Sequence, residues 1–330
     1  MMSQILPATD KNIQTAATEI KGGHLVAFPT ETVYGLGADA TNDTAVAAIF
    51  AAKMRPDFNP LISHVPDFKT AMKYAVHNSW AEVLAQVFWP GPLTFILKRK
   101  TDCAISKLAS AGLDTLALRA PAHPTAQKFL KTCMTPVAAP SANKSGSLSP
   151  TTPQHVLQSL GDNVPTILAD GMSEVGLEST VIDLSGDTPC LLRHGAITQE
   201  DIEELIGPIS ISCHVEGSDA PKSPGQLLKH YAPNTSLRLN AVDLSLDEAL
   251  LGFGSLKFMG VAGGGFATDL SQDQVLNLSP TGDLNEAAGN LFAMLHKLDL
   301  LKFKSIAVMN IPNTGLGIAI NDRLIRAAKA

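Results

Sequence analysis

Short apolar runs alternate with helical apolar stripes over the first two hundred residues of this chain. Such alternation is typical of an α/β domain, in which buried strands are connected by amphipathic helices. Residues 24–28 are predicted as a strand. The apolar positions of residues 44–54 fit one helical stripe, with Asn42 or Asp43 as the N-cap and Pro56 as the stop signal.

The same pattern continues to about residue 207, so residues 1–207 are predicted to form a first domain. Thr198 and Asp201 have the spacing of a capping box, which predicts a helix that ends near Gly207. Further strands are predicted at residues 93–97, 115–118, 136–139 and 180–184.

Residues 208–235 differ in composition from the rest of the chain. Glycine, proline, serine and acidic residues dominate this stretch, which is typical of a linker without a core of its own. Strand and helix patterns then resume, so residues 236–330 are predicted to form a second, smaller α/β unit. A buried strand is predicted at residues 305–311, and a helical stripe is formed by Leu284, Ala287, Leu291, Leu295 and Leu298.

Length and charge narrow the range of functions. With 330 residues and 45% hydrophobic positions, the chain is long enough for more than one core. Its formal net charge of -6 disfavours a chain-wide surface for nucleic acid, although a local basic groove is compatible with it. No apolar run reaches the roughly 18 residues of a membrane span, and the first residues lack the pattern of a signal peptide. The four cysteines are scattered, so we expect reduced thiols and a cytoplasmic location.

Three segments carry side chains suited to a polar ligand. In the first, residues 29–37, the hydroxyls of Thr30 and Thr32 follow a predicted strand. Open α/β sheets commonly bind ligands just beyond their strand ends, where hydroxyls can donate and accept hydrogen bonds. The alternative interpretation is an ordinary turn, in which both hydroxyls bond to the local backbone.

The second segment, residues 53–64, contains two cations, an amide and an imidazole, namely Lys53, Arg55, Asn59 and His64. Cations at a helix C-terminus complement the helix dipole by roughly 0.3–1 kcal/mol, and His64 is also compatible with an ordinary buried histidine. Neither interpretation explains the two prolines that stiffen this segment. A stiff, irregular loop with two cations suits a polyanion such as a triphosphate.

The third segment, residues 139–146, places Ser141 and Asn143 directly after a predicted strand, although an ordinary polar loop would have the same composition. Arg119 and Arg193 also follow apolar runs at predicted strand ends. Each arginine is compatible with a solvated position, but together they favour an anion site. Cations, hydroxyls and amides position and stabilise charge, which matches phosphoryl or nucleotidyl transfer. These residues therefore predict a phosphate-bearing ligand and leave a second substrate unidentified.

The three segments resemble the Sua5/YrdC/YciO family, the threonylcarbamoyl-AMP synthases. The family's hallmark pairs, Lys-x-Arg at 53–55 and Ser-x-Asn at 141–143, are intact. Residues 223–233 and 315–328 are similar to the longer, Sua5-type members, with a departure at 226–229, where the family usually has Met-Lys-Tyr-Arg-type residues. Matching sequences in the first domain are PTETVYGLG (29–37), KMRPDFNPLISH (53–64), WPGPLT (89–94), LALRAPAHP (116–124), APSAN (139–143), ESTVIDL (178–184) and LLRHG (191–195).

The resemblance implies a fold and a reaction. The implied fold is α/β, with a YrdC-like domain that has a twisted mixed sheet and an open concave site, followed by a smaller, Rossmann-like Sua5 domain. The implied activity is nucleotidyl transfer. L-threonine captures bicarbonate or carbon dioxide, and the resulting carbamate attacks the α-phosphorus of ATP, so threonylcarbamoyl-AMP forms and pyrophosphate leaves. This reaction begins the synthesis of N6-threonylcarbamoyladenosine (t6A) in tRNA.

The resemblance also implies roles for individual residues. The expected catalytic constellation is Lys53, Arg55, Ser141 and Asn143. The expected threonine ligands are Thr32, His64, Arg119, Ser141 and Ser179. The expected ATP ligands are Arg55, Asn59, Thr115, Asn143, Thr151, Arg193 and Tyr231. Mg²⁺ is expected to enter with ATP, and the sequence identifies no protein ligand for it.

Tyr231 lies in the predicted linker, where residues 223–233 would form a lid that keeps water from a labile carbamate. The expected partners are the downstream enzymes that transfer the threonylcarbamoyl group. Neither stable tRNA binding nor a membrane is expected.

Two alternative functions remain. One is an RNA-binding module that uses the basic run at 98–100. The other is carbamoyl transfer from carbamoyl phosphate, although those enzymes usually carry acylphosphatase-like and zinc-finger segments.

Overall fold

The structure is a computed structural model that describes residues 3–211, 230–257 and 259–329. It divides into two compact units. Most residues up to 211 belong to the first unit, and residues from 230 onward belong to the second, together with the short segments Gly146–Ser149 and Val175–Leu177. Most of the predicted linker, residues 212–229, lies outside the described residues.

Strands and helices alternate through the first unit. Its strands are β1 Gln4–Pro7, β2 Val26–Phe28, β3 Gly35–Asp39, β4 Ile62–His64, β5 Leu93–Lys98, β6 Thr115–Arg119, β7 Val137–Ala138, β8 Thr166–Ala169, β9 Thr180–Asp183, β10 Cys190–Arg193 and β11 Ser210–Ile211. Its helices are α1 Asp10–Lys21, α2 Asp43–Lys53, α3 Phe68–Ala71, α4 Ser79–Phe88, α5 Pro124–Cys133, α6 Pro153–Leu160 and α7 Gln199–Ile206.

These strands form one mixed sheet in the order β1-β8-β2-β3-β7-β4-β6-β5-β9-β10-β11. β4 runs parallel to β6 and β5 parallel to β9, whereas β3 and β7 are antiparallel. Successive residues of a strand face opposite sides of a sheet. Accordingly, Val26 and Phe28 of β2 pack with α1 and α5, whereas Ala27 packs in the cluster that contains α2 and α4. Helices on both faces therefore bury the sheet and hold its connecting loops.

The ends of α2 determine where the second polar segment begins. The side-chain oxygen of Asn42 accepts hydrogen bonds from the N–H groups of Thr44 and Ala45, so Asn42 is the N-cap. Met54 adopts a left-handed conformation with a φ of 51° and ends the helix after Lys53. The chain can therefore turn sharply between Lys53 and Arg55, before Pro56.

The second unit is also α/β. Its elements are β12 Ser236–Arg238, β13 Asp243–Leu244, β14 Glu248–Gly252, β15 Gly260–Val261, β16 Val275–Asn277, α8 Leu284–Leu300, β17 Ser305–Val308 and α9 Leu316–Ala328. An all-parallel sheet has the strand order β12-β17-β14-β16. Leu250 and Ala307 face the separate pair β13 and β15. Among the described residues, the apolar cluster on that face includes none from α8 or α9. Because α8 contacts β14 and α9 contacts β12, these two helices cover the opposite face of the sheet.

A mixed-sheet domain and a smaller α/β unit confirm the predicted fold class. Several predicted boundaries differ from the observed ones. Residues 136–139 were predicted as a strand, but β7 is shorter because it lies between Pro136 and Pro140. The predicted strand 305–311 ends at Val308, opposite Leu251 near the end of β14. In the part of the chain that the structure describes, no helix is long and apolar enough to cross a membrane.

Candidate active site

Lys53 connects the end of α2 to the loop after β7. Its Nζ donates hydrogen bonds to the backbone oxygens of Ser141 and Asn143, and its side chain is 1% exposed. The N–H of Ser145 in turn donates to the backbone oxygen of Lys53 over 2.9 Å. Three members of the predicted catalytic constellation therefore lie together.

Arg55, the fourth member of the predicted catalytic constellation, adds a second positive charge next to Lys53. Burial, and then the positive charge of Arg55, hold the pKa of Lys53 well below its ordinary value. Burying two positive charges so close together raises the free energy of the folded protein unless an anion binds to them. The arrangement is suited to a ligand that carries several negative charges.

Arg55 and Asn59 form a compact turn between α2 and β4. The Nε of Arg55 donates to the backbone oxygen of Asn59 over 3.2 Å, and its Nη2 donates to that of Pro60 over 3.0 Å. Asn59 is completely buried, and neither its side-chain oxygen nor its nitrogen has a partner among the described residues. Buried amides normally make hydrogen bonds, so the amide of Asn59 is available for a ligand.

Arg119 joins the end of β6 to the loop between β2 and β3. Its guanidinium donates to the hydroxyl of Thr32 over 2.9 Å, to Glu31 over 2.7 Å and to the backbone oxygen of Gly91 over 3.3 Å. The hydroxyls of Thr30 and Thr32 are 2.8 Å apart. All four side chains are buried, so this is a fixed polar network rather than an ordinary surface turn.

His64 lies beside Arg119 in the sheet. The two residues are partners in the parallel register of β4 and β6. Burial, and then the charge of Arg119, lower the pKa of His64 to about 3. The imidazole is therefore neutral at neutral pH, and its Nδ1 has no partner among the residues that the structure describes.

Ser179 and Arg193 form a further set around the start of β9. Arg193 donates from Nε to the backbone oxygen of Ser179 over 3.0 Å and from Nη2 to its hydroxyl over 3.1 Å. The hydroxyl of Thr94 lies 2.7 Å from that of Ser179. These contacts bring a predicted threonine ligand and a predicted ATP ligand together.

Of the two remaining predicted ligands in the first unit, Thr115 lies away from Arg119, whereas Thr151 is linked to Thr30 through Ser173. Thr115 begins β6, about 13 Å along the strand from Arg119, and the antiparallel register of β5 and β6 places it opposite Lys98. Thr151 accepts through its backbone oxygen from Ser173, whose hydroxyl donates to the backbone oxygen of Thr30. Thr151 therefore belongs to the same network as Thr32.

Tyr231 belongs to the second unit. Its ring is buried, with its centroid 5.7 Å from that of Phe292 and 5.4 Å from the guanidinium carbon of Arg323. Its contact with ATP stays a prediction. Residues 223–229 of the predicted lid lie outside the described residues.

Comparisons with known proteins match nearly the whole chain. The Sua5/YciO/YrdC family, described as “Telomere recombination”, matches residues 18–195. The chain belongs to this family. A second domain family, described as “Threonylcarbamoyl-AMP synthase, C-terminal domain”, matches residues 197–329. The chain thus has the two-domain organisation of the Sua5-type members of the Sua5/YciO/YrdC family.

Individual relatives extend over both domains. A threonylcarbamoyl-AMP synthase of Pyrococcus abyssi is 40% identical over 325 residues, which cover 96% of this chain and 94% of the relative. A threonylcarbamoyl-AMP synthase of Bacillus subtilis is 39% identical over 333 residues, which cover 98% and 94%. The crystal structure of P. abyssi Sua5 complexed with L-threonine has a TM-score of 0.87 and 35% identity, covering 99% of this chain and 98% of that one.

Two buried residues in family segments were not predicted from the sequence. Glu31 pairs with Arg119, and Thr94 bonds to Ser179. Glu31 could have been found from the sequence, because it lies between Thr30 and Thr32 in the first polar segment. Thr94 is the second residue of the apolar strand β5, whose pattern concealed the polar role of its hydroxyl.

The donor groups of this Sua5/YciO/YrdC site do not form a magnesium cage. Magnesium prefers carboxylate and phosphate oxygens. In the described network, the carboxylate of Glu31 contacts the predicted ligand Arg119 and is already paired with it. The described residues contain no group of three or more His, Cys, Asp or Glu side chains that could hold a metal ion.

Proposed function

We propose that this protein is an L-threonylcarbamoyladenylate synthase. It would be a nucleotidyltransferase that converts L-threonine, bicarbonate or carbon dioxide, and ATP into threonylcarbamoyl-AMP and pyrophosphate. This would supply the first step of t6A synthesis in tRNA. The observation that carries the proposal is the contact of the buried Lys53 with the backbone of Ser141 and Asn143, in a chain 40% identical to a threonylcarbamoyl-AMP synthase.

The chemistry needs two bond-forming steps. The amine of threonine attacks carbon dioxide, loses a proton and becomes a carbamate. A carbamate oxygen then forms a bond to the α-phosphorus of ATP. The bond between that phosphorus and the bridging oxygen breaks, and pyrophosphate leaves with the electron pair. Both steps depend mainly on positioning and on stabilising negative charge.

The threonine ligands would be Thr32, His64, Arg119, Ser141 and Ser179. Arg119 and the hydroxyl of Thr32 are already joined, so together they offer a cation and a polar hydrogen to a carboxylate. Because His64 is neutral, its free Nδ1 could accept a hydrogen bond from a substrate hydroxyl.

The ATP ligands would be Arg55, Asn59, Thr115, Asn143, Thr151, Arg193 and Tyr231. Lys53 and Arg55 would offset the charge that develops on the phosphates. Magnesium would enter bound to ATP. Tyr231 and the predicted lid would exclude water from the mixed anhydride.

The product would then pass to the downstream transfer enzymes. We place this activity in the cytoplasm, and it does not require stable tRNA binding by this chain.

Pyrophosphate release tests the proposal. Release from ATP and magnesium should require both L-threonine and bicarbonate, and it should be lost in Lys53→Ala and Arg55→Ala. Lys69→Ala, which removes an exposed lysine, is the matched control and should retain activity. Release without threonine, or activity that depends on carbamoyl phosphate, would contradict it. A folded protein that binds RNA without releasing pyrophosphate would favour the RNA-binding alternative.

A further inference from the structure

A separate pocket lies within the second unit, among residues that the proposed reaction does not use. Its volume of about 430 Å³ falls in the range of roughly 300–1,000 Å³ that is typical of small-molecule sites. The residues after β12, the residues after β17 and one side of α9 form its walls.

The pocket occupies the position where open parallel sheets commonly bind ligands. β12 and β17 are parallel neighbours. After β12 the chain leads to β13 on one face of the sheet, whereas after β17 it leads to α9 on the opposite face. Between connections that diverge in this way, a crevice opens beyond the carboxyl ends of the strands. Asn240 and Asn310 follow the two strands and line this crevice.

The polar groups of the pocket are amides. Asn240, Asn310, Asn313 and Asn321 contribute them, and no Lys, Arg, Asp or Glu is among the described lining residues. Asn321 donates to the backbone oxygen of Ile311 over 3.1 Å, which holds its amide against the loop after β17. An uncharged lining gives no compensation for a buried charge, so it favours an uncharged ligand.

The rest of the lining is apolar, with Ile311, Leu324 and Ile325 among its residues. An apolar wall with amides at its edge suits a flat ring that has hydrogen-bonding groups on its perimeter. An asparagine amide offers a donor and an acceptor side by side, which complements the adjacent donor and acceptor of adenine. We propose that this pocket binds the uncharged purine ring of a nucleoside, or of a nucleotide whose phosphates remain outside the pocket.

Methyl NMR of the full chain, labelled at isoleucine and leucine, tests this proposal with adenosine as the probe. Adenosine should cause saturable shifts of the Ile311, Leu324 and Ile325 signals. The signals of Ile49 and Leu61 in the first unit report separately on the proposed ATP site. AMP should shift the same three signals with similar affinity, because the described lining residues include no charged side chain that could recognise its phosphate.

Variants identify the amides involved. Asn310→Ala and Asn321→Ala should each weaken adenosine binding about tenfold, as expected for the loss of one or two hydrogen bonds. Asn310 is exposed, so its replacement should leave the fold intact. Asn285→Ala, which changes an exposed asparagine outside the pocket, should leave the affinity unchanged.

Three results would overturn the proposal. One is an absence of saturable shifts at Ile311, Leu324 and Ile325 with millimolar adenosine. Another is unchanged affinity in Asn310→Ala. The third is a response to AMP but not to adenosine, which would indicate a phosphate site. Each result is independent of whether the first unit catalyses the proposed reaction.

Discussion

Lys53 is a cation that the fold has removed from water. Its Nζ is surrounded by backbone oxygens of Ser141 and Asn143, and Arg55 adds a second positive charge. Burial and Arg55 favour the neutral amine, whereas a bound triphosphate would favour the ammonium ion. The protonation of Lys53 should therefore be coupled to ATP binding.

This coupling predicts proton uptake when ATP binds. Because the pKa of Lys53 is lowered in the free protein and raised by the phosphates, ATP affinity should fall as the pH rises above the free-protein pKa. Calorimetry in buffers with different ionisation enthalpies measures the uptake. It should be done at a pH of about 8, above the second pKa of a phosphate, which is about 6. Lys53→Met should abolish the uptake, and equal uptake in this variant would contradict the assignment.

Asn59 provides a second prediction, in which stability and binding change in opposite directions. Each unpartnered buried polar atom costs about 1–3 kcal/mol, and both polar atoms of Asn59 are of this kind. Asn59→Leu should therefore leave the free energy of unfolding unchanged or raise it, while ATP affinity falls. Denaturant unfolding and calorimetry measure the two effects.

A matched substitution checks this interpretation of Asn59. Asn42 uses its side chain to cap α2, so Asn42→Leu should lower the free energy of unfolding by about 1 kcal/mol. If Asn59→Leu destabilised the protein more than Asn42→Leu, the amide of Asn59 would have a structural role instead.

At the scale of elements, the polar network joins loops that are distant in sequence. Arg119 of β6 binds Glu31 and Thr32 in the loop after β2, and Lys53 of α2 binds the loop after β7. Because the partners are far apart in the chain, local spacing could not predict these pairs. It could predict the individual strand-end residues and the capped start of α2, since those depend on near neighbours.

The ion pair between Arg119 and Glu31 gives a third prediction. Removing one partner of a buried pair leaves an uncompensated charge and typically costs 3–5 kcal/mol. Arg119→Gln should therefore lower the free energy of unfolding by roughly that amount. The double variant Arg119→Gln with Glu31→Gln should recover most of the loss, because neither charge then remains.

Denaturant unfolding of both single variants and the double variant completes a thermodynamic cycle. Additive effects of the two substitutions would show that the pair does not connect β6 to the loop after β2. Threonine binding should be lost in Arg119→Gln and should not return in the double variant, because the cation is still absent.

At the scale of the whole molecule, the surroundings of Tyr231 depend on packing that the sequence does not reveal. The composition of residues 208–235 places Tyr231 in a predicted linker, and the resemblance implies that it is an ATP ligand. In the second unit, the ring of Tyr231 is buried near Phe292 and Arg323, which lie far along the chain in α8 and α9. Burial by distant helices depends on tertiary packing and leaves no local pattern.

The measurement that tests the central claim most directly is the mass spectrum of the product formed from ATP, magnesium, L-threonine and ¹³C-bicarbonate. The proposed reaction predicts an adduct of threonine and AMP that carries the ¹³C label in its carbamoyl carbon, formed together with pyrophosphate. The adduct should be absent when threonine or bicarbonate is withheld, and absent in Lys53→Ala. An unlabelled adduct, or ADP and phosphate as the only products, would contradict the proposal.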